Sequence, residues 1–157
     1  MRTVLVFAVG ILVGSVFQSL VAQTPRPNLR LNHVGISVKD LPEALKFYQE
    51  KLGFTEVVRN PNGMSAYIQV SRDTFLELQA SQERPVGQVT HFGMETNDIK
   101  TTVGQLRQRG LTVSDPGAPS TFTGGILANV NDPVYGRIEL SEQPAGGKLR
   151  AATEAWK

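Results

Sequence analysis

The chain contains two copies of one sequence unit, and each copy carries one histidine and one glutamate at equivalent positions. In the first copy, His33 opens the segment LNHVG and Glu77 closes the unit within FLEL. In the second, His91 opens THFG and Glu139 closes the unit within RIEL. The sequence has no other histidine. Two copies of one long unit indicate a duplicated module rather than a solenoid of many short repeats.

Each copy predicts the same order of secondary structure. An alternating apolar segment that carries the histidine predicts a strand, and an Asp then caps a helix that ends at a Gly. Three further strands follow, so each unit is predicted as a βαβββ module, over about residues 30–80 and 88–142. The strands of the second module are predicted at 89–96, 111–114, 125–130 and 136–142. We therefore predict an α+β fold in which two βαβββ modules form a curved sheet around a shared cup.

The alternation along the strands predicts where the two histidines and the two glutamates point. Each of the four alternates with apolar neighbours, such as Val34 beside His33 and Phe92 beside His91. Successive side chains of a strand face opposite sides of its sheet. If the apolar neighbours face the helices, all four polar side chains face the cup.

The two ends of the chain are set apart from the repeat. Residues 1–22 combine Arg2 with a long apolar run, which is typical of a secretory signal peptide or a membrane anchor. This segment predicts an exported protein, periplasmic or secreted, or one held at a membrane by an uncleaved segment. Residues 23–29 are predicted as a linker, residues 30–142 as the paired-module domain, and residues 143–157 as a loosely attached tail.

Composition excludes several kinds of function. The chain has no cysteine, so disulfides, thiolate metal sites and cysteine nucleophiles are excluded. The formal net charge is only +2, and no basic stripe with interleaved aromatic residues is present, so nucleic acid is not an expected partner.

The repeated histidine and glutamate pairs predict a site for one divalent metal ion. A lone histidine or glutamate on a strand is usually structural, but four at equivalent positions of a repeat favour a metal site. Imidazole nitrogens and carboxylate oxygens suit Ni, Zn, Fe(II), Mn or Co. An ion that chelates two adjacent substrate oxygens would acidify a neighbouring C–H bond and stabilise an enediolate, while a ligand carboxylate acted as base.

The same residues resemble a known family. Residues 31–41 (LNHVGISVKDL), 44–48 (ALKFY) and 52–54 (LGF) look like the opening module of the vicinal oxygen chelate superfamily, which includes glyoxalases, bleomycin-resistance proteins and extradiol dioxygenases. Residues 131–133 (NDP), Gly136 and residues 138–140 (IEL) resemble its closing strand. The opening motif is similar to that of methylmalonyl-CoA epimerase, which commonly has Gln in place of Glu77.

The resemblance implies a ligand set and a reaction. By position, the four metal-ligand places of glyoxalase I fall on His33, Glu77, His91 and Glu139. This ligand set implies a metal-dependent lyase or isomerase of a small vicinal-dioxygen substrate, with Glu139 or Glu77 as the base. The resemblance also implies a homodimer, whose metal site is formed within one chain or shared between two.

Departures from the family pattern leave alternatives open. The Arg and Asn that glyoxalase I uses for glutathione are replaced within 35–38 (GISV) and 79–81 (QAS), so glutathione dependence is in doubt. A second reading is an Fe(II) extradiol-type dioxygenase, which would use His33, His91 and Glu139. A third is a small-molecule binding protein without turnover. Tyr67 and Gln69 share a strand face and are predicted either to line the cup or to pack.

Overall fold

The computed structural model describes residues 26–132 and 136–157. The predicted signal or anchor segment, residues 23–25 of the predicted linker and residues 133–135 lie outside the described residues. The first module consists of β1 (Arg30–Val38), α1 (Leu41–Leu52), β2 (Thr55–Arg59), β3 (Ser65–Ser71) and β4 (Thr74–Ala80). The second consists of β5 (Val89–Glu95), α2 (Ile99–Gln108), β6 (Ile126–Asp132) and β7 (Gly136–Glu142), and α3 (Lys148–Ala155) follows it.

The seven strands form one sheet in the order β2-β3-β4-β1-β5-β7-β6. The two histidine strands, β1 and β5, pair antiparallel at the centre, and each glutamate strand lies parallel beside the histidine strand of its own module. Register shifts between β1 and β5 and at the edges of the first module mark irregular pairing, which bends a sheet. The predicted pair of modules around one curved sheet is confirmed.

Both predicted helix starts are confirmed by their caps. The carboxylate of Asp40 accepts a hydrogen bond of 2.8 Å from the backbone N–H of Glu43, and Asp98 accepts one of 2.9 Å from Thr101. Each cap satisfies a backbone donor that the helix cannot, which contributes about 1 kcal/mol. At the other end of α1, Gly53 has φ of 72°, a left-handed conformation that favours glycine.

One predicted strand of the second module is wrong. Residues 111–114 make only an isolated bridge, between Val113 and Val130. The chain then turns through Pro116, which has no backbone N–H to donate to a ladder. The side chain of Arg107 also donates to the carbonyl of Val113 at 2.7 Å, so this carbonyl is satisfied by a side chain. The second module therefore has fewer paired strands than the first.

The helices α1 and α2 cover one face of the sheet, and each has its own hydrophobic cluster. Leu41 and Leu45 of α1 pack on Ile68 and Leu78, which are fully buried. Ile99, Val103 and Leu106 of α2 pack on Ala128 and Leu140. The predicted parity is confirmed for the two glutamate strands, because the apolar neighbours of Glu77 and Glu139 lie in or against these clusters. Phe92, the neighbour of His91, is 44% exposed and lies outside them.

The expectation of a loosely attached tail is wrong. Leu149 of α3 is 2% exposed and packs with Tyr67 and Phe75 on the cup face of the sheet. Gln69 donates to the carbonyl of Ala152 at 3.2 Å. Leu149 and Ala152 are three residues apart on the helix, so one apolar face covers the open side of the first module. None of the helices that the structure describes is long and apolar enough to cross a membrane.

Candidate metal centre

The two histidines meet at the centre of the sheet. His33 on β1 lies opposite Gly93 on β5, and His91 lies opposite Gly35. The Nε2 atoms of the two imidazoles are 3.0 Å apart, and both side chains are buried. A Cβ built on Gly93 would lie 1.9 Å from the His33 ring, and one on Gly35 would lie 2.4 Å from the His91 ring. Each module thus provides a glycine, and the imidazole of the other module occupies the space that a side chain at this position would need.

The Nδ1 atoms of both imidazoles face local oxygen atoms. Asn32 Oδ1 lies 3.0 Å from His33 Nδ1, and Thr90 Oγ1 lies 3.0 Å from His91 Nδ1. The amide oxygen of Asn32 can only accept, so Nδ1 of His33 carries the hydrogen and its Nε2 presents a lone pair. Burial, followed by the charge of His91, lowers the pKa of His33 to about 4. His33 is therefore neutral at neutral pH, as a metal ligand must be.

A chain of hydrogen bonds extends from Nδ1 of His33, on the side away from His91. Asn32 Nδ2 donates to Glu95 Oε2 at 2.8 Å, which fixes the orientation of the amide. Glu95 in turn pairs with Arg30 at the protein surface. Asn32 is 1% exposed and Glu95 is 7% exposed, so this chain is largely shielded from water. An oriented imidazole with a hydrogen-bonded second nitrogen is the usual arrangement at protein metal sites.

Glu77 completes a compact group with the two histidines. Its Oε2 lies 3.2 Å from His91 Nε2. One ligand atom from each of His33, Glu77 and His91 lies within 4.8 Å of the others, and all three residues are buried. Burial raises the pKa of Glu77, but hydrogen bonds from His91 and Gln79 outweigh it, so the net pKa is lowered. Glu77 is therefore ionised and ready to bind a cation.

Glu139, the fourth predicted ligand, lies beside this group rather than within it. Its Oε1 is 3.6 Å from His33 Nε2, and its Oε2 is 3.4 Å from Nη1 of Arg137. Burial raises the pKa of Glu139, although the charges of His91 and Arg137 act in the opposite direction. One chain thus brings all four predicted residues together, but the two carboxylates have opposite pKa shifts. Environments that separate two carboxyl pKa values are typical of sites with distinct acid–base roles.

Tyr67 both contacts His33 and packs against Phe122, so each of the two predicted roles is partly correct. Its hydroxyl lies 3.4 Å from His33 Nε2, and its ring meets the His33 ring edge-on. Phe122 packs against the other side, with ring centroids 5.5 Å apart. Burial raises the pKa of Tyr67 well above its usual range, so its O–H stays a donor. Gln69, in contrast, is bound to the backbone of α3 and packs.

A partly open cavity of about 220 Å³ lies over these residues. Its roof comes from the loop that contains Ser120, Phe122 and Thr123 and from Leu149 of α3. The sequence analysis missed the roof, because the loop has no periodic pattern and its contacts are far away in the chain. A larger cavity of about 600 Å³ lies between β2 and α3, but neither histidine lines it, so it is not this site.

The residues fit a divalent ion. The Nε2 atoms of His33 and His91 lie 3.0 Å apart, and Glu77 Oε2 lies 3.2 Å from His91 Nε2, so three candidate donor atoms converge at one point. The donor set of two imidazoles and buried carboxylates suits Zn, Ni, Fe(II), Mn or Co. The paired glycines hold the two rings in this arrangement.

Comparison with known proteins agrees with this architecture. The virulence protein STM3117 of Salmonella typhimurium is 24% identical over 120 residues, which cover 72% of this chain and 83% of that protein. The structure of methylmalonyl-CoA epimerase from Mycobacterium tuberculosis is 24% identical and has a TM-score of 0.62, over 77% of this chain and 91% of the epimerase. The 2,3-dioxygenase LapB from Pseudomonas sp. KL28 is 20% identical with a TM-score of 0.60, over 75% of this chain and 42% of the dioxygenase.

These structural likenesses are too distant to show more than the fold. The sequence pattern of one family, however, matches residues 30–140, which is most of the chain. The match begins at β1 and ends within β7, so it contains both modules and all four residues of the candidate metal centre. The chain belongs to the Glyoxalase/Bleomycin resistance protein/Dioxygenase superfamily.

Proposed function

We propose that this protein is a divalent-metal-dependent lyase or isomerase of the glyoxalase I type. It moves a proton next to a carbonyl of a small substrate that carries two adjacent oxygen atoms. The observation that carries this proposal is the pair of buried carboxylates with opposite pKa shifts beside the two imidazoles, with Glu77 3.2 Å from His91 and Glu139 3.6 Å from His33. Glu77 is suited to bind the ion, and Glu139 is suited to move the proton.

The chain's own residues supply the remaining chemistry. When bound, the ion supplies Lewis acidity that polarises the two substrate oxygens and stabilises the developing negative charge. Glu139 Oε1 takes the proton from the substrate carbon that carries the hydroxyl and returns it to the neighbouring carbonyl carbon. Arg137 holds the other oxygen of this carboxylate in place. The raised pKa of Glu139 makes it a stronger base than an ordinary glutamate.

Proton return to the substrate requires that bulk water stay out. The loop around Phe122 and Leu149 of α3 covers the cavity. Tyr67 presents a neutral hydroxyl that can donate to a substrate oxygen. The volume of about 220 Å³ lies below the roughly 300–1,000 Å³ that is typical of drug-sized ligands, so we infer that the reacting part of the substrate is small.

A second candidate function is an Fe(II) dioxygenase. The set of His33, His91 and Glu139 has two histidines and one carboxylate, the donor set of many non-haem Fe(II) oxygenases, and Glu139 Oε1 lies 3.6 Å from His33 Nε2. The fold is shared with a 2,3-dioxygenase and with an epimerase, so the likeness by itself favours neither reaction. A protein that binds its ligand without turnover is a third outcome of the same experiment.

The test uses the full chain loaded in turn with Ni, Zn, Co and Fe(II). Methylglyoxal mixed with glutathione or with 2-mercaptoethanol gives two hemithioacetals, and their conversion to thioesters is followed by absorbance. We expect turnover with at least one metal and no oxygen consumption. Oxygen uptake with catechol and Fe(II) would favour the dioxygenase, and ligand binding without turnover would favour the binding protein.

Two variants make the assay specific for the proposed base. Glu139→Gln is expected to keep its metal ion and to lower kcat by about 100-fold or more, because it removes a positioned general base. Glu50→Gln makes the same change at an exposed site on α1 and should leave kcat unchanged. Full activity in Glu139→Gln would rule out Glu139 as the base.

A further inference from the structure

A second, polar groove adjoins the cavity of the metal centre. Its volume is about 440 Å³, and Gln79 and Arg137 line both the groove and the cavity. The other lining residues are Met64, Ser65, Ala80, Arg84 and Thr90. A molecule whose reacting end lies in the small cavity can therefore extend into the groove past Gln79 and Arg137.

The groove carries positive charge without a matching acid. Arg84 and Arg137 line it, and no Asp or Glu is among the residues that line it. The guanidinium of Arg84 makes one hydrogen bond of 3.4 Å, to Gln79 Oε1, and no carboxylate pairs with it within residues 26–132 and 136–157. Arg137 is partly balanced by Glu139, at 3.4 Å. Among the described side chains, about one positive charge of the groove has no carboxylate partner, which leaves N–H donors available to a ligand.

A nearby charged cavity shows what a compensated arginine cluster looks like in this protein. That cavity, of about 270 Å³, contains Arg30, Arg72 and Arg150 together with two acidic residues. There Arg30 pairs with Glu95, and Arg150 pairs with Glu154 of α3, which lies outside the lining of that cavity. Arginines alone therefore do not indicate a binding site, and the distinguishing feature of the 440 Å³ groove is the missing acid.

Gln79 connects the groove to the centre. It hydrogen-bonds Glu77, whose pKa it lowers, and it accepts from Arg84. The contact from Arg84 is long, so a stronger acceptor in the groove can replace Gln79 as its partner. An occupant of the groove would then touch residues that directly neighbour the metal centre.

We propose that this groove, built from Arg84, Arg137 and Gln79, binds a carboxylate at the far end of the substrate. The proposal rests on the proposed function and narrows its substrate class to small vicinal-dioxygen compounds with an anionic tail. A carboxylate matches the planar fork of an arginine, and its single charge matches the single uncompensated charge of the groove. The positive charge of the groove also attracts an anionic substrate toward the adjoining cavity.

The experiment compares hydroxamates, which chelate a divalent ion through two oxygens. Succinic monohydroxamate and its methyl ester differ only in the charge of the tail, and glutaric monohydroxamate and its ester extend the tail by one carbon. Binding to the Co(II)-loaded full chain is measured by calorimetry and by the visible spectrum of the ion. We expect the better-fitting acid to bind about tenfold more tightly than its ester, with a preference that weakens as salt is added.

Variants at two arginines locate the effect. Arg84→Gln should abolish the preference for the acid while leaving the ester's affinity unchanged. Arg72→Gln removes the same charge at the opposite end of β4 and should keep the preference. Circular dichroism of each variant confirms its fold, and Arg84→Glu provides a second variant that should favour the ester.

The failures of the two proposals can be told apart. Equal affinity for acid and ester, or a preference that survives Arg84→Gln, would contradict the proposed carboxylate site in the groove. The proposed function would not be affected by this result. If no hydroxamate binds the Co(II)-loaded protein, the proposed function fails and the groove fails with it.

Discussion

The imidazole of His33 occupies the space above Gly93, its cross-strand partner, where a Cβ would lie 1.9 Å from the ring. His91 and Gly35 repeat this relationship with the modules exchanged. Glycine is needed at both positions for steric reasons, because any larger residue would displace an imidazole. The duplication therefore created two mutually dependent halves of one site.

Gly93→Ala tests this dependence. The methyl group forces His33 out of place, so we expect metal affinity to fall on the order of 100-fold, equivalent to about 2.8 kcal/mol. Competition with a chromophoric chelator measures the change. Gly104→Ala is the control, because Gly104 lies exposed on α2 with nothing near its Cβ position, and it should raise the free energy of unfolding by about 0.5–1 kcal/mol. Unchanged metal affinity in Gly93→Ala would contradict the account of the paired glycines.

The hydrogen-bond chain behind His33 predicts a role for two residues that do not touch the centre. Asn32→Ala removes the acceptor of the Nδ1 hydrogen, and metal affinity should fall by about 10- to 100-fold. Glu95→Gln keeps the size of the side chain but removes its charge, so its effect should be smaller. Nitrogen NMR of the imidazole should show a single His33 tautomer in the parent and a mixture in Asn32→Ala. An unaltered tautomer in this variant would mean that Asn32 does not orient the ring.

The low pKa of His33 predicts how stability depends on pH in the metal-free protein. The imidazole binds a proton near pH 6.5 in the unfolded chain but only near pH 4 in the folded one. Between these values the unfolded state holds more protons, so the free energy of unfolding decreases as the pH falls from 6.5 to 4, by about 3 kcal/mol. Urea unfolding at several pH values measures this slope. His33→Gln should flatten it, and an equally steep slope in the variant would assign the effect to other groups.

The buried tail helix predicts a stability effect at the C-terminus. Leu149→Ala leaves a cavity between α3 and the sheet, so we expect the free energy of unfolding to fall by about 2–5 kcal/mol. Leu52→Ala, at a half-exposed position, should change it by roughly 0.5 kcal/mol. Thermal unfolding of the two variants gives the comparison. Equal, small losses would show that α3 contributes little to the fold.

The sequence predicts the framework of the centre because strand parity is a local property. The alternation around His33 and Glu77 was enough to place both on the cup face, and the repeat extended this to His91 and Glu139. The contact of Asn32 with His33 could also have been suspected from the sequence, because Asn32 directly precedes His33. The same periodicity failed for residues 111–114, where an arginine side chain and a proline replace strand pairing.

The opposite pKa shifts of Glu77 and Glu139 could not be predicted from the repeat. Glu77 and Glu139 are equivalent in the repeat, and only their surroundings separate them, with Gln79 beside one and Arg137 beside the other. The roof is another such case, since Phe122 and Leu149 reach the site through long-range packing rather than through a motif. Export, the homodimer and the identity of the metal stay predictions.

The most direct measurement is the metal content of the full chain and of Glu77→Ala by elemental mass spectrometry. We expect about one divalent ion per chain in the parent and a much lower content in the variant, because Glu77 is one of three buried residues whose candidate ligand atoms lie within 4.8 Å of one another. Full metal content in Glu77→Ala would show that Glu77 is not a ligand and would favour the dioxygenase set of His33, His91 and Glu139. No metal in either protein after reconstitution would contradict the central claim.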